Sequence, residues 1–448
     1  MLEGGKMVHS TFKLEYKSTA LSLFIICIAA LLHHSNVIYG INLSFADFFC
    51  ILLLIYLFMV KQLYIPISPL ICFLFLSVQV IVTASFYIPL RFDLFVIPTV
   101  ILSDYLKLLA LFGYFILGYN LSSQNLMGKL LKGYSISGIL IGAAGIVMTF
   151  THLEFYREFF FFGGTRYRGL MIDPNYYAVL QVTSLVFLTR VKTVEVKYKY
   201  IAVVIISLSV LISGSKTGLM TLGCYLIIRL LEYLFFTRKK IMLFTCQLLV
   251  LSLLLFITPL IFDKIQYLFN NIATNIPSFG RIYNLVTDFN GAITEEGSGR
   301  ADTWKTALQI IQISPFLGVG IGMYTSLATD LFNFNNVAHN TFLQLSAEWG
   351  IPLALSFFVF IAFSLGKITI YSSQTSVMNL ILRDIIIILL IGSLAISLNN
   401  ARMLWLFLGA TVYFLKLHHS RKPSNNRCIT KERKLEREFK GNVNFPKL

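Results

Sequence analysis

Apolar runs long enough to cross a bilayer recur from near residue 18 to residue 416, separated by short polar connections. A helix needs roughly 17 to 25 apolar residues to span the hydrocarbon layer. The runs are continuous and lack the in-out alternation of a membrane β-barrel, so they predict helices. Spans are expected near 18–34, 43–60, 67–87, 99–119, 130–150, 173–190, 199–214, 217–236, 241–262, 341–366, 383–398 and 402–416. The expected fold is an all-α integral membrane protein of about twelve transmembrane helices, read as one polytopic domain over 18–416. A short N-terminal segment, 1–17, precedes it and a basic tail, 417–448, follows. Two connections are long, about 151–172 and 263–340, and both are rich in aromatic and polar residues.

The pattern inside these loops predicts further elements. Asp173-Pro174 starts a helix, with Asp as cap and Pro at the first helical position. Trp304, Ala307, Leu308 and Ile311 make one apolar stripe on a short helix over about 300–313, lying on the membrane or packed on the bundle. Pro315 ends that helix, and Gly318, Gly320 and Gly322 form a sharp, close-packed connection to a second short helix. A new span descends from His339.

Composition agrees with a bilayer location: 56% of the 448 residues are hydrophobic and 13% charged, against about a quarter charged in soluble domains. The net charge of +16 does not imply nucleic acid, because the basic residues lie between apolar runs and in the tail RKPSNNRCITKERKLEREFK. Lys61, Lys129, Lys132, the segment RVKTVEVKYK, Arg238, Lys367, Arg383 and the tail all fall on one side, which the positive-inside rule makes cytoplasmic. Both termini are then cytoplasmic, the first helix is retained, and the two long loops face out. The six cysteines show no C-x-x-C spacing, so neither a disulfide framework nor a zinc site is indicated.

Against that rule, several cations sit on the outer face. Arg166 and Arg168 are two apart, so in an extended segment they point the same way; Arg157 precedes them, and Arg300 opens the second-loop helix. A guanidinium fork grips phosphate oxygens and stays charged, so an anionic substrate is one reading, and pairing with Asp173, Glu154, Glu158, Glu295 or Glu296 is the other. Lys216, in SGSKTG, either faces the same cavity or snorkels to the interface; the order of that motif is not that of an ATP-binding phosphate loop. His339, where the second loop re-enters the membrane, could take a proton from a hydroxyl nucleophile, or could instead cap a helix or bond Asn340. Glu348, nine positions on, lies on the opposite side of a continuous helix about 13 Å deeper, where an ionisable group is structural or functional but needs a partner.

The combination of RYRGLMIDPNYYA, SGSKTGLM, GSGRADTWKTALQIIQISPFLGVGIGMY and AHNTFLQLSAEWG, over about 160–365, resembles the O-antigen ligase and polymerase family of bacterial membrane glycosyltransferases. The resemblance implies a metal-independent, inverting enzyme without a cofactor, taking a glycan from undecaprenyl diphosphate at the outer leaflet to a sugar hydroxyl of an acceptor glycan. Arg168 and Arg300 would hold the diphosphate with help from Arg166, and His339 would orient or deprotonate the acceptor, with Glu348 a second candidate. The leading expectation is a polymerase of surface polysaccharide, O-antigen or capsule, working with a chain-length regulator. The alternative is a ligase delivering finished O-antigen to lipid A core, and the alternative of another class is a transporter of polysaccharide or lipid-linked sugar.

Overall fold

The computed structural model describes residues 19, 21–38, 41–94, 97–151, 157–192, 195–236, 267, 271, 276, 278–281, 300–370 and 376–420. Helix α1 (Leu21–Leu31) leads through a small antiparallel hairpin, β1 (Asn36–Ile38) and β2 (Ile41–Leu43), into α2 (Phe45–Met59). Three long helices follow, α3 (Ile67–Phe92), α4 (Pro98–Ser123) and α5 (Met127–Thr151). A single turn, α6 (Arg157–Phe160), and a second hairpin, β3 (Phe161–Phe162) with β4 (Arg166–Tyr167), precede α7 (Pro174–Arg190), α8 (Val196–Ile212) and α9 (Lys216–Phe236). The remainder comprises α10 (Arg300–Ile313), α11 (Tyr324–Phe332), α12 (Thr341–Trp349), α13 (Ile351–Ile370), α14 (Val377–Gly392) and α15 (Arg402–Ser420).

Among the described residues, α3, α4, α5 and α13 are long and apolar enough to cross a membrane by length and composition, and α1 and α2 are shorter apolar helices. Ile71, Phe75 and Val78 on α3 and Leu355, Val359 and Phe363 on α13 stand exposed along one face each. Such stripes are stable only against hydrocarbon, and the chain is an integral membrane protein. Helices occupy the expected spans that fall within the described residues; the one expected at 241–262, the N-terminal segment and the tail beyond 420 lie outside them.

Helix α7 is the pillar of the bundle, buried from Tyr177 to Leu188 and packed against α5, α8, α9 and α14. A helix buried all round needs partners for its polar groups: Thr183 Oγ1 bonds the Tyr134 hydroxyl at 2.7 Å and Ser184 Oγ donates to the Leu180 carbonyl at 3.0 Å, while the Gln181 amide has no partner among the described residues. A second tie joins the ends of the chain, where Arg402 at the start of α15 pairs with Asp47 of α2 at 2.5 Å.

Two expected spans differ from the observed helices. The run 341–366 is not one helix, because Gly350 (φ +80°) breaks it between α12 and α13. The segment after α10 makes that break affordable: Val319 N–H donates to Ala347 O at 2.8 Å, Gly320 N–H to Glu348 O at 3.0 Å, and Ile351 N–H to Pro315 O at 2.8 Å. These bonds satisfy groups that a helix end leaves open. A Cβ on Gly318 would come within 2.4 Å of Glu348 O, and one on Gly320 within 2.5 Å of Ala84 N, so both positions require glycine. The run expected at 383–398 is instead Val377–Gly392. Hydropathy reads Arg383 and Asp384 as the edge of a span, but both are buried within the helix and ion-paired.

Candidate active site

The N-termini of α7, α9 and α10 converge on one cavity of about 1080 Å³, bordered by Asp173 and Asn175, by Lys216 and by Arg300. Each opening turn has a sequence cause. Asp173 caps α7, its carboxylate accepting from Asn175 N–H at 2.8 Å and Tyr176 N–H at 2.9 Å, ahead of Pro174. Gly214 (φ +59°) reverses the chain after α8, and Ser215 Oγ accepts from Gly218 N–H at 3.0 Å to start α9 at Lys216. A helix start carries partial positive charge from the aligned peptide dipoles, so three of them bordering one space favour an anion there.

The cations add to that field. Arg166, almost buried on β4, donates through Nε to Ser213 O at 3.0 Å and through Nη2 to Asn175 Oδ1 at 2.9 Å. Arg300 Nη2 donates to Thr217 Oγ1 at 3.3 Å, and Arg281 completes the cluster. Among the described residues the arginines ion-paired to carboxylates are Arg190, Arg229, Arg383 and Arg402, and Arg166, Arg281 and Arg300 are not among them. The cost appears in their proton affinities. Burial, and then the charges of Arg281 and Arg300, push Arg166 down to about 10, against the opposing pull of Asp173. Lys216 is lowered by burial, Arg281 and Arg300, and Arg300 by burial and Arg281 against Asp173.

His339 lines the same cavity, half-buried and with a left-handed backbone (φ +47°). Such a conformation persists in a non-glycine residue only when its surroundings impose it. Here Asn340 caps α12, accepting from Phe342 and Leu343 N–H at 2.9 and 3.1 Å, while Thr341 is tied to Ser393 O and Ile396 O at 2.8 and 2.9 Å. The cap is thus Asn340, which leaves the imidazole to the cavity. Burial lowers the pKa of His339; Asp173 raises it and Arg300 lowers it.

Glu348 also reaches the cavity. On one continuous helix it would lie far from His339, but His339 precedes the helix, and Gln344 connects the two: its Oε1 accepts from Ala338 N–H at 2.9 Å and its Nε2 donates to Glu348 Oε1 at 2.5 Å.

The structure therefore gathers Arg166, Lys216, Arg300, His339 and Glu348, and leaves Arg168 and Arg157 outside the cavity lining. Arg168 does not point with Arg166, because the strand ends at Tyr167; its guanidinium donates to Ile172 O, Glu158 O and Phe159 O at 3.2, 3.2 and 3.3 Å. Arg157 Nε donates to Gly164 O at 2.7 Å. The stripe on α10 divides: Ala307 and Ile311 are buried with Thr303 and Ile310, whereas Trp304 and Leu308 stand exposed, facing outward like the lipid-side stripes of α3 and α13. Sequence reasoning missed Arg281, although it breaks the positive-inside pattern as Arg300 does. It also missed Asp104 and Lys107, an ion pair at 2.7 Å inside an apolar span, which border the cavity from α4.

A helical membrane protein with a basic cavity at one end of its bundle, and a neutralisable histidine beside it, is the class defined so far. Residues 201–358 match the model of the O-antigen ligase family, and this part of the chain is similar to an O-antigen ligase domain. The match contains Lys216, Arg281, Arg300, His339 and Glu348; Arg166 lies before it. No curated protein matches the chain.

Proposed function

We propose that the cavity transfers a glycan from undecaprenyl diphosphate to a sugar hydroxyl, and that the protein is a surface-polysaccharide polymerase. The observation that carries this reading is the cluster of Arg166, Arg281 and Arg300, ion-paired to no carboxylate among the described residues, which borders one cavity with Lys216 at three helix N-termini. A diphosphate leaving group supplies the missing negative charge, and fixed guanidinium groups stabilise that charge as it grows in the transition state. In the step, the acceptor oxygen attacks the anomeric carbon as its bond to the phosphate oxygen breaks. The electron pair leaves on undecaprenyl diphosphate, and the acceptor's proton passes to the neutral ring of His339. Arg168 braces the β3–β4 segment that presents Arg166. The chain crosses the membrane twelve times as one domain with both termini cytoplasmic, and the cavity opens on the extracytoplasmic face; the placement of lysine and arginine in the connections supports this orientation.

The test is a gel of surface glycolipids from cells lacking the protein, rescued with wild type or His339→Ala. A polymerase predicts that the ladder collapses to a single repeat on its acceptor, that wild type restores it, and that His339→Ala does not. Long chains retained on undecaprenyl diphosphate would identify a ligase instead, and an unchanged ladder would remove the glycosyl-transfer reading.

A further inference from the structure

The cavity has two chemically different ends. At the basic end, the charges acting on Arg166 are those of Arg281, Asp173 and Arg300. Those acting on Glu348 are different, namely Asp104 and Lys107 of α4. The second end is built from Asp104, Lys107, Tyr324, Gln344 and Glu348. Asp104 and Lys107 compensate one another, with Nζ 2.7 Å from Oδ1, and Glu348 accepts a hydrogen bond from the Gln344 amide. A compensated pair has little left to attract a phosphate or a free cation. It does present donors and acceptors side by side, which a sugar hydroxyl, itself both donor and acceptor, can bridge.

An independent observation points to a ligand. Tyr324 is 2% exposed, borders the cavity, and its hydroxyl has no hydrogen-bond partner among the described residues. A buried phenol O–H ordinarily finds a partner. Asp104 and Lys107 carry the same message from the other wall: charged groups within a span face a polar interior for a reason, and their side chains remain 35% and 20% exposed, towards the cavity they border.

We infer that the Asp104–Lys107–Tyr324–Glu348 end is a saccharide subsite for the acceptor, binding the hydroxyls of the attacking sugar while the basic end holds the donor's diphosphate. The inference rests on the glycosyl-transfer reading for the word acceptor, but not for the sugar chemistry of the site. His339 stands in reach of both, since Asp173 and Arg300 act on its ring and Gln344 joins its turn to Glu348. The subsite fixes which hydroxyl meets the anomeric carbon, so Tyr324 and Asp104 are specificity-determining groups.

The experiment uses purified full-length protein in liposomes. Its probes are the undecaprenyl-diphosphate-linked repeat as donor and, as acceptor, an alkyl glycoside of the same repeat that has no phosphate and so cannot act as donor. The nearly isosteric variants Asp104→Asn and Tyr324→Phe are each expected to raise the acceptor KM about tenfold, the weight of one well-made hydrogen bond, and to leave the donor KM unchanged. That unchanged donor KM also shows that the variants fold. A raised donor KM with unchanged acceptor KM would assign this end to the donor's glycan and overturn the inference, as would two unchanged constants. If wild type transfers from no lipid-linked donor, the glycosyl-transfer reading fails, and calorimetric binding of the alkyl glycoside decides the subsite alone. Binding weakened in both variants supports it, and binding absent from wild type or equal in all three proteins overturns it.

Discussion

The two ends of helix α7 hold arginines in opposite ways. At its C-terminus, Arg190 meets Asp384 at 2.5 Å and Glu232 at 2.6 Å, Arg229 meets Glu232 at 2.9 Å, and Arg383 lies against Asp384 at 2.7 Å and against Glu232. About 25 Å away at its N-terminus, Arg166 and Arg300 bond a carbonyl, an amide and a hydroxyl, with Arg281 nearby and, among the described residues, no carboxylate paired. Asp173 borders the same cavity, and its Oδ1 is engaged in capping α7, while Glu154, Glu295 and Glu296 lie outside the described residues. The first cluster is complete and ties α7, α9 and α14 together. On the proposed function, the second becomes complete when the donor's diphosphate arrives. Charge density alone does not mark a site; charge without its counter-ion does.

The comparison breaks most severely at Asp384, which is fully buried between two arginines. Asp384→Asn leaves two buried guanidinium groups to share Glu232, and is expected to cost about 3 kcal/mol of stability, read as loss of the folded, monodisperse protein in detergent. Arg300→Lys is expected to do the reverse: a transfer rate down about a hundredfold, because a point charge does not replace a fork on phosphate, with melting temperature unchanged. Wild-type activity in Arg300→Lys would reduce the residue to general electrostatics. Inorganic pyrophosphate should separate the two ends more finely, raising the melting temperature of wild type by a few degrees at about 100 times its Kd. That shift should be lost in Arg281→Ala and survive in Arg229→Ala.

How much of this was legible in the sequence follows from the same contrast. Helix positions were readable because hydrocarbon imposes continuous apolar runs, and the grouping of Arg166, Lys216, Arg300 and His339 on one cavity was readable because cations and a histidine fall in connections where the positive-inside rule does not expect them. Pairing was not readable. Arg383 and Asp384 resembled the edge of a span because hydropathy sums residues and cannot see two opposite charges cancel inside a helix. Nor was direction: Arg168 differs from Arg166 by two positions, yet the strand that would align them stops at Tyr167. The break at Gly350 depends on carbonyls satisfied by Val319 and Gly320 some thirty residues earlier, a contact with no local trace. Asp104 and Lys107 could have been found, since an acid and a base one helical turn apart inside an apolar run are conspicuous.

The smallest effect concerns His339 and depends on both signs of charge around it. In the proposed transfer step the reacting form is the neutral ring. Burial holds the pKa below the ordinary value of about 6.5. Between that value and the lowered one, an ordinary histidine is protonated while His339 is still neutral. Activity should therefore persist as pH falls through 6.5 and decline only lower, as pH passes the folded pKa. Asp173 is the one group that pulls this pKa up, and asparagine caps a helix as well as aspartate does. Asp173→Asn should accordingly keep α7 intact and move the acid limb of the pH–rate profile further down. A limb that moved up, or stayed in place while His339→Ala retained the same profile, would assign the titration to a different base and leave His339 as a group that positions the acceptor.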